Sequence, residues 1–389
     1  MYRHVWAEIN LNALRHNIKE ISHLVPTDKI MGVVKANAYG HGAGEITKEL
    51  SAAGVNCFAV SNAYEALDLR FSGLEGNILV LGNIDFSALE ELANNNITVC
   101  VYDLGYARSL SSEAKRLGVT LKCHIKVDTG MGRLGVDFRS SVGENSVSEL
   151  KEILNLPNLY VTGVFTHFPA ADRESDEDGT FTKAQYERFL RVKDIVLKMA
   201  ERDDIAFHCS NSAATLLENK TISSDYYRAG IMLYGLTPAD GLGLPIKLQP
   251  VMTLKSVVTQ VKTVNEGDFV SYGRSFKAKG KMKLATVAIG YADGFFRSNS
   301  GKGKVLINGK EANIVGRVCM DQTVVDVTHI ENVKTGDAAV IFGEGLSVEE
   351  VAKINGTINY ELVCAVAHRV PRVYVLNGKN IKVVRHRSV

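Results

Sequence analysis

A (β/α)8 barrel followed by a mostly β domain is the fold this sequence predicts, and three observations predict it. Eight short apolar, β-branched runs recur up to about Gly235, with amphipathic stretches between most of them. The region they fill is close to the ~250 residues such a barrel usually takes. Past "TPADGLGLPIKLQP" the texture changes to short, alternating, turn-rich runs, the pattern of a separate β domain.

In chain order, "INLNALRHNIKEIS" comes first and puts Leu11, Leu14, Ile18 and Ile21 on one helical face. The strand candidates follow: "IMGVVKA", "CFAVS", "NILVLG", "ITVCVY", "LKCHIKV", "YVTGVFTHF", "IAFHCS" and "YRAGIMLYG". Helical patterns such as "AGEITKELSAAG" and "TKAQYERFLRVKDIVLKMAE" separate most of them, which implies parallel βαβ units. A doubly wound open sheet is the rival. The even strand count and the lack of a GxGxxG after the first run lean against it. From Val251 the runs are "TLKSVVTQVKTV", "KLATVAIG", "KVLINGK", "TVVDVT" and "AAVIFG", with "SVEEVAKI" the one helical pattern among them. The expected division is 10–244 for the barrel and 245–389 for the β domain.

The chain has 389 residues, more than one core usually serves. Its 46% hydrophobic and 23% charged residues are those of an ordinary soluble globule. Net charge is +2 with no dense basic run, which argues against nucleic acid as the main partner. No apolar run is long enough to cross a bilayer, so no membrane association is expected. The opening "MYRHVWAEINLNALRHN" is charged and amphipathic, without a signal-peptide core. Six scattered cysteines form no CxxC pair, so neither a zinc knuckle nor a disulfide framework is expected. Reduced thiols in the cytoplasm are the simplest reading.

In a barrel the reacting groups stand at the carboxyl ends of the strands. The first strand leads to Lys35 and Tyr39, and the fifth to Lys126, Asp128 and Arg133. His167 ends the sixth, while His208, Ser210, Asn211 and Ser212 end the seventh. Arg228, Gly230 and Ile231 surround the eighth. Singly, such a lysine or arginine is more often a solvated rim charge than a catalyst. Together they are stronger evidence, because the topology brings all of them to one face. The ends of strands 7 and 8 are where barrels tend to bind phosphate, and here they carry "SNSAAT", shaped like a helix N-cap, and "RAGI". A phosphate anchor opposite a lysine on strand 1 is the geometry of a pyridoxal phosphate enzyme, the lysine holding the aldehyde as a Schiff base.

Three other chemistries compete. A metal-dependent hydrolase wants paired histidines or carboxylates at strand ends, which strand 1 lacks, so no metal is expected. The acidic run "ADRESDEDGT" has no regular ligand spacing and reads as a solvated surface loop. "GHGAG" lacks the Lys-Ser/Thr of a nucleotide loop, and His41 within it has no assigned role. A lysine aldolase fits the barrel but needs neither a second domain nor a separate tyrosine motif in it.

The motifs "VVKANAYGHG", "KVDTGMGRLG", "FTHF", "NSAA", "RAGIMLYG", "VSYGRSF", "GYADG", "GRVCMDQ" and "NYELVC…RVPR" occur in order over nearly the whole chain. Together they resemble the alanine racemase family, pyridoxal 5'-phosphate enzymes of fold type III. The resemblance implies a TIM-type barrel and a β domain, with an N-terminal strand (1–9) packed on the latter. It also implies a homodimer that shares its sites across the interface. By the same resemblance Lys35 is similar to the lysine of the internal aldimine. Tyr39, Ser212, Tyr360 and the backbone of Gly230 and Ile231 correspond to phosphate anchors, with Asn211 beside them. Arg228 matches the arginine facing the pyridine nitrogen, and Arg133 the one near the cofactor phenolate and the substrate carboxylate. His167 and His208 match histidines that hold this arginine network. Tyr272 resembles the second catalytic base and Met320 and Asp321 the substrate-carboxylate contacts, all three from the partner subunit. Tyr291, in "GYADG", is a supporting residue. Lys126 stands where many members carry a carbamylated lysine.

The implied reaction interconverts L- and D-alanine and supplies D-alanine for peptidoglycan. Two bases on opposite faces of a planar intermediate can take one proton and return another without moving the substrate. Lysine would serve the D-enantiomer and tyrosine the L-enantiomer. Both have intrinsic pKa values of about 10, and cationic neighbours, the Arg228–histidine network in particular, are expected to lower them. An amino-acid decarboxylase, a racemase of broader scope and a barrel-only cofactor carrier are the remaining readings. The carrier would lack the second domain and its Tyr272.

Overall fold

A computed structural model of the chain describes residues 4–140, 143–172, 176–217, 221–239 and 243–385. A strand, Val5–Asn10, leads into helix Leu11–Ser22. The Asn10 side chain accepts the Ala13 N–H at 3.1 Å and satisfies one orphan donor of the first turn. Leu11, Leu14, Ile18 and Ile21 are buried along one face, as their spacing predicts.

Eight parallel strands follow, Ile30–Val33, Cys57–Val60, Asn77–Val80, Ile97–Val101, Leu121–Asp128, Leu159–Phe165, Ala206–His208 and Tyr227–Ala229. Each of the first six pairs with the next. The eighth returns to the first, Tyr227 opposite Ile30 and Ala229 opposite Gly32. Between the seventh and eighth the ladder gives way to two backbone bonds, Asp225 N–H to Phe207 O (2.9 Å) and Arg228 N–H to Ser210 O (3.1 Å). The result is a nearly closed barrel, buried on both faces of its strands, which is why these runs are apolar without alternation.

Three details differ from the sequence reading. The first strand stops at Val33, so Lys35 opens a separate turn, Lys35–Tyr39. The sixth stops at Phe165, which leaves His167 on the coil that follows. The acidic run read as a loop is partly helical: helix Asp176–Ala200 begins within it, and residues 173–175 lie outside the described residues. Acidic residues suit the first turns of a helix, so their charge did not mark a loop.

In the second domain strand Met252–Val264 is central. It pairs along its first half with Val5–Asn10 and Ala338–Phe342, and along its second half with Met282–Val287. A register shift between Val258 and Gln260 separates the two halves, which lets one long strand serve both sides of the domain. Val5–Asn10 also runs parallel to Arg372–Leu376. Helix Val348–Asn355 is capped by Ser347, as "SVEEVAKI" predicts. A second helix, Asn359–Ala365, breaks the expectation that helical patterning was otherwise gone. Its seven residues are too few to show a helical period against strand-like neighbours, and it carries Tyr360.

Candidate active site

The barrel mouth is organised by the turn Lys35–Tyr39. Ala36, Asn37, Ala38 and Tyr39 all have φ between 52° and 55°, a single left-handed helical turn without a glycine. Such a conformation costs an L-residue roughly 1–2 kcal/mol, so the surroundings must hold it. Glu65 accepts the Ala36 N–H (2.6 Å) while its other oxygen takes the Ser61 N–H (2.8 Å). The Asn37 side chain accepts Ala43 N–H at 2.8 Å. His41, buried, donates Nδ1–H to the carbonyls of Ala38 and Tyr39, and its ring stacks on Tyr234 at 4.5 Å. Desolvation pushes its pKa down to about 4, which keeps it neutral for that task. Thus the histidine without a role in the sequence is a brace for the lysine turn.

Lys35 is half-buried, and its pKa is lowered first by desolvation and next by the charge of Arg133, with Arg228 a smaller cause. The expectation that the Arg228–histidine network chiefly lowers it is therefore corrected: burial comes first, and the histidines are neutral. Arg133 reaches this position on a loop shaped by Asp128, whose carboxylate accepts the N–H groups of Gly130, Met131 and Gly132 at 2.8–2.9 Å.

Tyr39, Ser212 and Gly230 converge. A Cβ at Gly230 would lie 2.7 Å from Tyr39 Oη and 3.5 Å from Ser212 Oγ, so the cradle depends on the missing side chain. Ser212 Oγ accepts Gly230 N–H at 2.9 Å, which leaves its own hydroxyl proton to donate. Asn211 caps the helix behind it, accepting Ala214 N–H (3.0 Å) and donating to Phe168 O (2.9 Å). Ile231 opens the turn Ile231–Tyr234 next to Gly230. The Tyr360 ring stands 6.0 Å from the Tyr39 ring. Burial raises the pKa of both tyrosines, so both remain hydroxyl donors. Two phenols, a serine and a backbone amide make a donor set suited to a phosphate.

Two residues before Gly230, on the eighth barrel strand, lies Arg228, 5% exposed. Nη1 donates to His208 Nδ1 (2.9 Å) and His208 O (3.1 Å), and Nη2 to Thr166 O (2.8 Å), Cys209 O (2.9 Å) and His167 Nδ1 (3.4 Å). Its Nε makes no hydrogen bond to a described residue, so one donor of a fixed, buried cation is left over. That donor fits the lone pair of a pyridine nitrogen. Burial pulls the Arg228 pKa down to about 10, and desolvation holds His167 and His208 far below the usual histidine range, with Arg228 adding to it. Lys126 is 5% exposed, gives one hydrogen bond (Val127 O, 3.2 Å) and lies 5.2 Å from the Phe165 ring. Burial and then Arg228 push it down to about 7.

Tyr272, Met320 and Asp321 are elsewhere. They line one cavity of the second domain with Ser271, Arg274 and Cys319, and among the described residues none of the barrel-mouth group lines it. Tyr272 is 70% exposed. Tyr291 lies beside the same segment, its N–H bonded to Cys319 O at 3.1 Å. The predicted residues therefore fall into two groups within one chain. Sequence reasoning missed His124, Arg372 and Tyr374. Alternation along "KCHIKV" puts His124 on the same side as Lys126 and was the available signal. For Arg372 and Tyr374 the sequence offers none, since they act from a strand of the other domain.

Comparison with known proteins gives a consistent result. Residues 9–238 match the family model of the alanine racemase N-terminal domain, and residues 251–374 that of the alanine racemase C-terminal domain. An alanine racemase of Clostridium perfringens is 43% identical over 392 residues, covering 99% of this chain and 98% of its own. Two solved structures superpose over 99% of this chain. One is an alanine racemase of Clostridium difficile 630 in complex with cycloserine (TM-score 0.89, 39% identity, 99% of that chain). The other is an alanine racemase of Bacillus anthracis with bound L-Ala-P (TM-score 0.91, 36% identity, 98% of that chain).

Proposed function

Because the chain belongs to the alanine racemase family and is an enzyme that interconverts L- and D-alanine, we propose that it does so with pyridoxal 5'-phosphate and two bases from two subunits. The observation that carries this reading is the pairing of the Tyr39–Ser212–Gly230 cradle with the spare Nε–H of Arg228, with Lys35 at the same mouth. Tyr39, Ser212, Tyr360 and the amide of Ile231 would hold the phosphate, the Gly230 N–H serving to orient Ser212, and Arg228 would hold the ring nitrogen. Pyridoxal phosphate, when bound, supplies the electron sink that makes the α-carbon acidic.

Lys35 takes and returns the α-proton on one face, the D side, because burial and Arg133 lower its affinity for that proton. Tyr272 of the partner does so on the L side, where the backbone N–H groups of Met320 and Asp321 in the same loop cluster would meet the carboxylate together with Arg133, the Asp321 side chain being held by Arg369 at 2.6 Å. Arg228 is always protonated here, so it gives a proton to no acceptor and keeps the ring nitrogen bare. That restrains the sink and favours return of the proton over loss to side reactions. Lys126, its pKa pushed down to about 7 by burial, would add to carbon dioxide as a free amine, forming an N–C bond and releasing one N–H proton to water, and the resulting carbamate would prop Arg133.

A homodimer is supported by the separation of Tyr272, Met320 and Asp321 from the barrel mouth of their own chain. The proposed division, 10–244 for the barrel and 245–389 with strand 1–9 for the second domain, is supported by the pairing of Val5–Asn10 with Met252–Val264. We place the enzyme in the cytoplasm, where its six free cysteines persist, and assign its D-alanine to peptidoglycan. The test is incubation of the protein and pyridoxal phosphate with L-alanine in deuterated water. Approach to an equal enantiomer ratio with α-deuteration is expected, and an unchanged ratio without deuterium uptake would overturn the reading.

A further inference from the structure

His124 has no part in the site as described, yet it ends a hydrogen-bond chain that begins at Arg228. It is 7% exposed, on the fifth barrel strand two residues before Lys126. Its Nδ1 lies 3.0 Å from His208 Nε2, and His208 Nδ1 lies 2.9 Å from Arg228 Nη1. A guanidinium nitrogen only donates, so His208 Nδ1 must present a lone pair. The proton of His208 is then on Nε2 and points at His124 Nδ1, which must accept in turn. The His124 proton is left on its own Nε2. One direction of donation is allowed along the whole chain. Protonating either histidine would set N–H against N–H, so the geometry itself requires both rings to be neutral.

Barrel register builds the place for this ring. His124 is the cross-strand partner of Gly163 on the sixth strand, and Phe165, two residues on, pairs with His208 on the seventh. A Cβ at Gly163 would lie 2.7 Å from His124 Nε2 and Cε1, so the imidazole occupies the space a side chain would take. Phe165 stacks on His208 at 5.0 Å with 6° between the planes and fixes the middle ring. The ionisable groups packed around the pair are Arg228, Lys126 and Tyr226, with Cys100 beyond Lys126. The fixed cation among them, Arg228, reinforces neutrality.

We propose that His124 is a positioning residue of the racemase, closing a one-way chain from Arg228 through His208 that fixes the Nε2–H tautomer of both histidines and thereby the aim of the guanidinium. The inference rests on the reading of Arg228 as the group that meets the cofactor ring. If that reading fails, the wild-type protein shows no pyridoxal phosphate-dependent alanine turnover. If the present inference fails, the tautomers or the variants below show it while turnover persists.

The experiment is nitrogen-15 NMR of the histidine rings in the full chain without cofactor, followed by kinetics of the loaded enzyme. Wild-type His124 and His208 should each show a protonated Nε2 and a bare Nδ1, unchanged between about pH 6 and pH 8. An Nδ1–H tautomer or an imidazolium at either ring would overturn the proposal, whatever the variants do. His124→Phe keeps a ring over Gly163 but removes the acceptor. It should lower kcat about tenfold, the scale of one lost bond in a charge-assisted network, with KM within about twofold. His124→Gln offers a carbonyl to the same proton and should recover most of that loss. Full activity in folded His124→Phe, or no recovery in folded His124→Gln, would count against the chain.

Discussion

Arg372 donates its Nε–H to the carbonyl of Gly40 at 2.9 Å, so a strand of the second domain holds the turn that begins at Lys35. Its two Nη groups are spent on Ala367 O, Val370 O and Val366 O at 2.7–2.8 Å, and the side chain is 2% exposed. Two strand positions on, Tyr374 donates to His41 O at 3.0 Å. The left-handed turn, braced inside the barrel by Glu65 and His41, is thus held from the second domain as well.

Arg372→Met should therefore cost stability and cofactor retention together. Removing a buried cation that serves four carbonyls is expected to cost about 3–5 kcal/mol. Urea unfolding would show this as an earlier midpoint. Arg372→Lys should recover only part of it, because one ammonium cannot span the same four acceptors. An unchanged midpoint in Arg372→Met would show that the turn holds itself.

Tyr39→Phe removes one hydroxyl from the phosphate cradle and nothing from the core, since the ring keeps its contact with Tyr234 at 4.9 Å. Pyridoxal phosphate should bind about tenfold more weakly, the loss of one bond to a charged group. Fluorescence titration of the cofactor-free protein measures this directly. Equal affinity would place the phosphate elsewhere.

How far the sequence alone reached is clearest at these residues. The barrel was legible because parallel strands buried on both faces read as apolar runs, and because amphipathic helices separate them. Lys35, Tyr39, Lys126, Arg228 and Gly230 were legible because strand ends in a barrel share one face. Arg372 was not, since its partners lie more than three hundred residues away in the chain and no local pattern encodes such a contact. His41 had no assigned role, because its meaning comes from a left-handed turn that no propensity scale anticipates. His124 carried one signal, its place two residues before Lys126 on the same side of the strand, but that alternation names no partner.

Lys126 gives a pH signature. Folding lowers its pKa to about 7, while the unfolded chain keeps about 10.4. Below about pH 7 both states hold the proton, and the full cost of burying it falls on the folded state. Between about pH 7 and pH 10 the folded protein has released a proton that the unfolded chain keeps, so wild type gains stability as pH rises. Relative to Lys126→Met, wild type should improve by up to about 1.4 kcal/mol per pH unit in that window, in buffer purged of carbon dioxide. A difference that stays flat would mean the amine is not buried as a free base. Supplying carbon-13 bicarbonate should then give a carbamate signal that Lys126→Met lacks.

Arg228→Glu replaces a group that leaves the ring nitrogen bare with one that can share a proton with it. More half-transamination of alanine is expected, read as accumulation of pyruvate and of the amine form of the cofactor. If the rate of that side reaction matches wild type, the restraint assigned to Arg228 is wrong.

The placement of Tyr272 on a surface of its own chain that no barrel-mouth residue lines makes the sharpest test of shared sites. Lys35→Ala and Tyr272→Phe should each lose most racemisation, by a factor of about 10²–10⁴ for the missing acid–base group. In a mixed dimer of the two variants, one site combines both lesions. The other combines an intact Lys35 with an intact Tyr272 from the partner. Equal mixing after dissociation and reassociation should therefore restore about a quarter of wild-type activity, since about half the dimers are mixed and each has one whole site. If both bases came from the same chain, no mixture of the two inactive variants could recover any. Activity that stays at the level of the separate variants, with mixed dimers shown to form by mass spectrometry, would return Tyr272 to its own barrel and remove the partner from the mechanism.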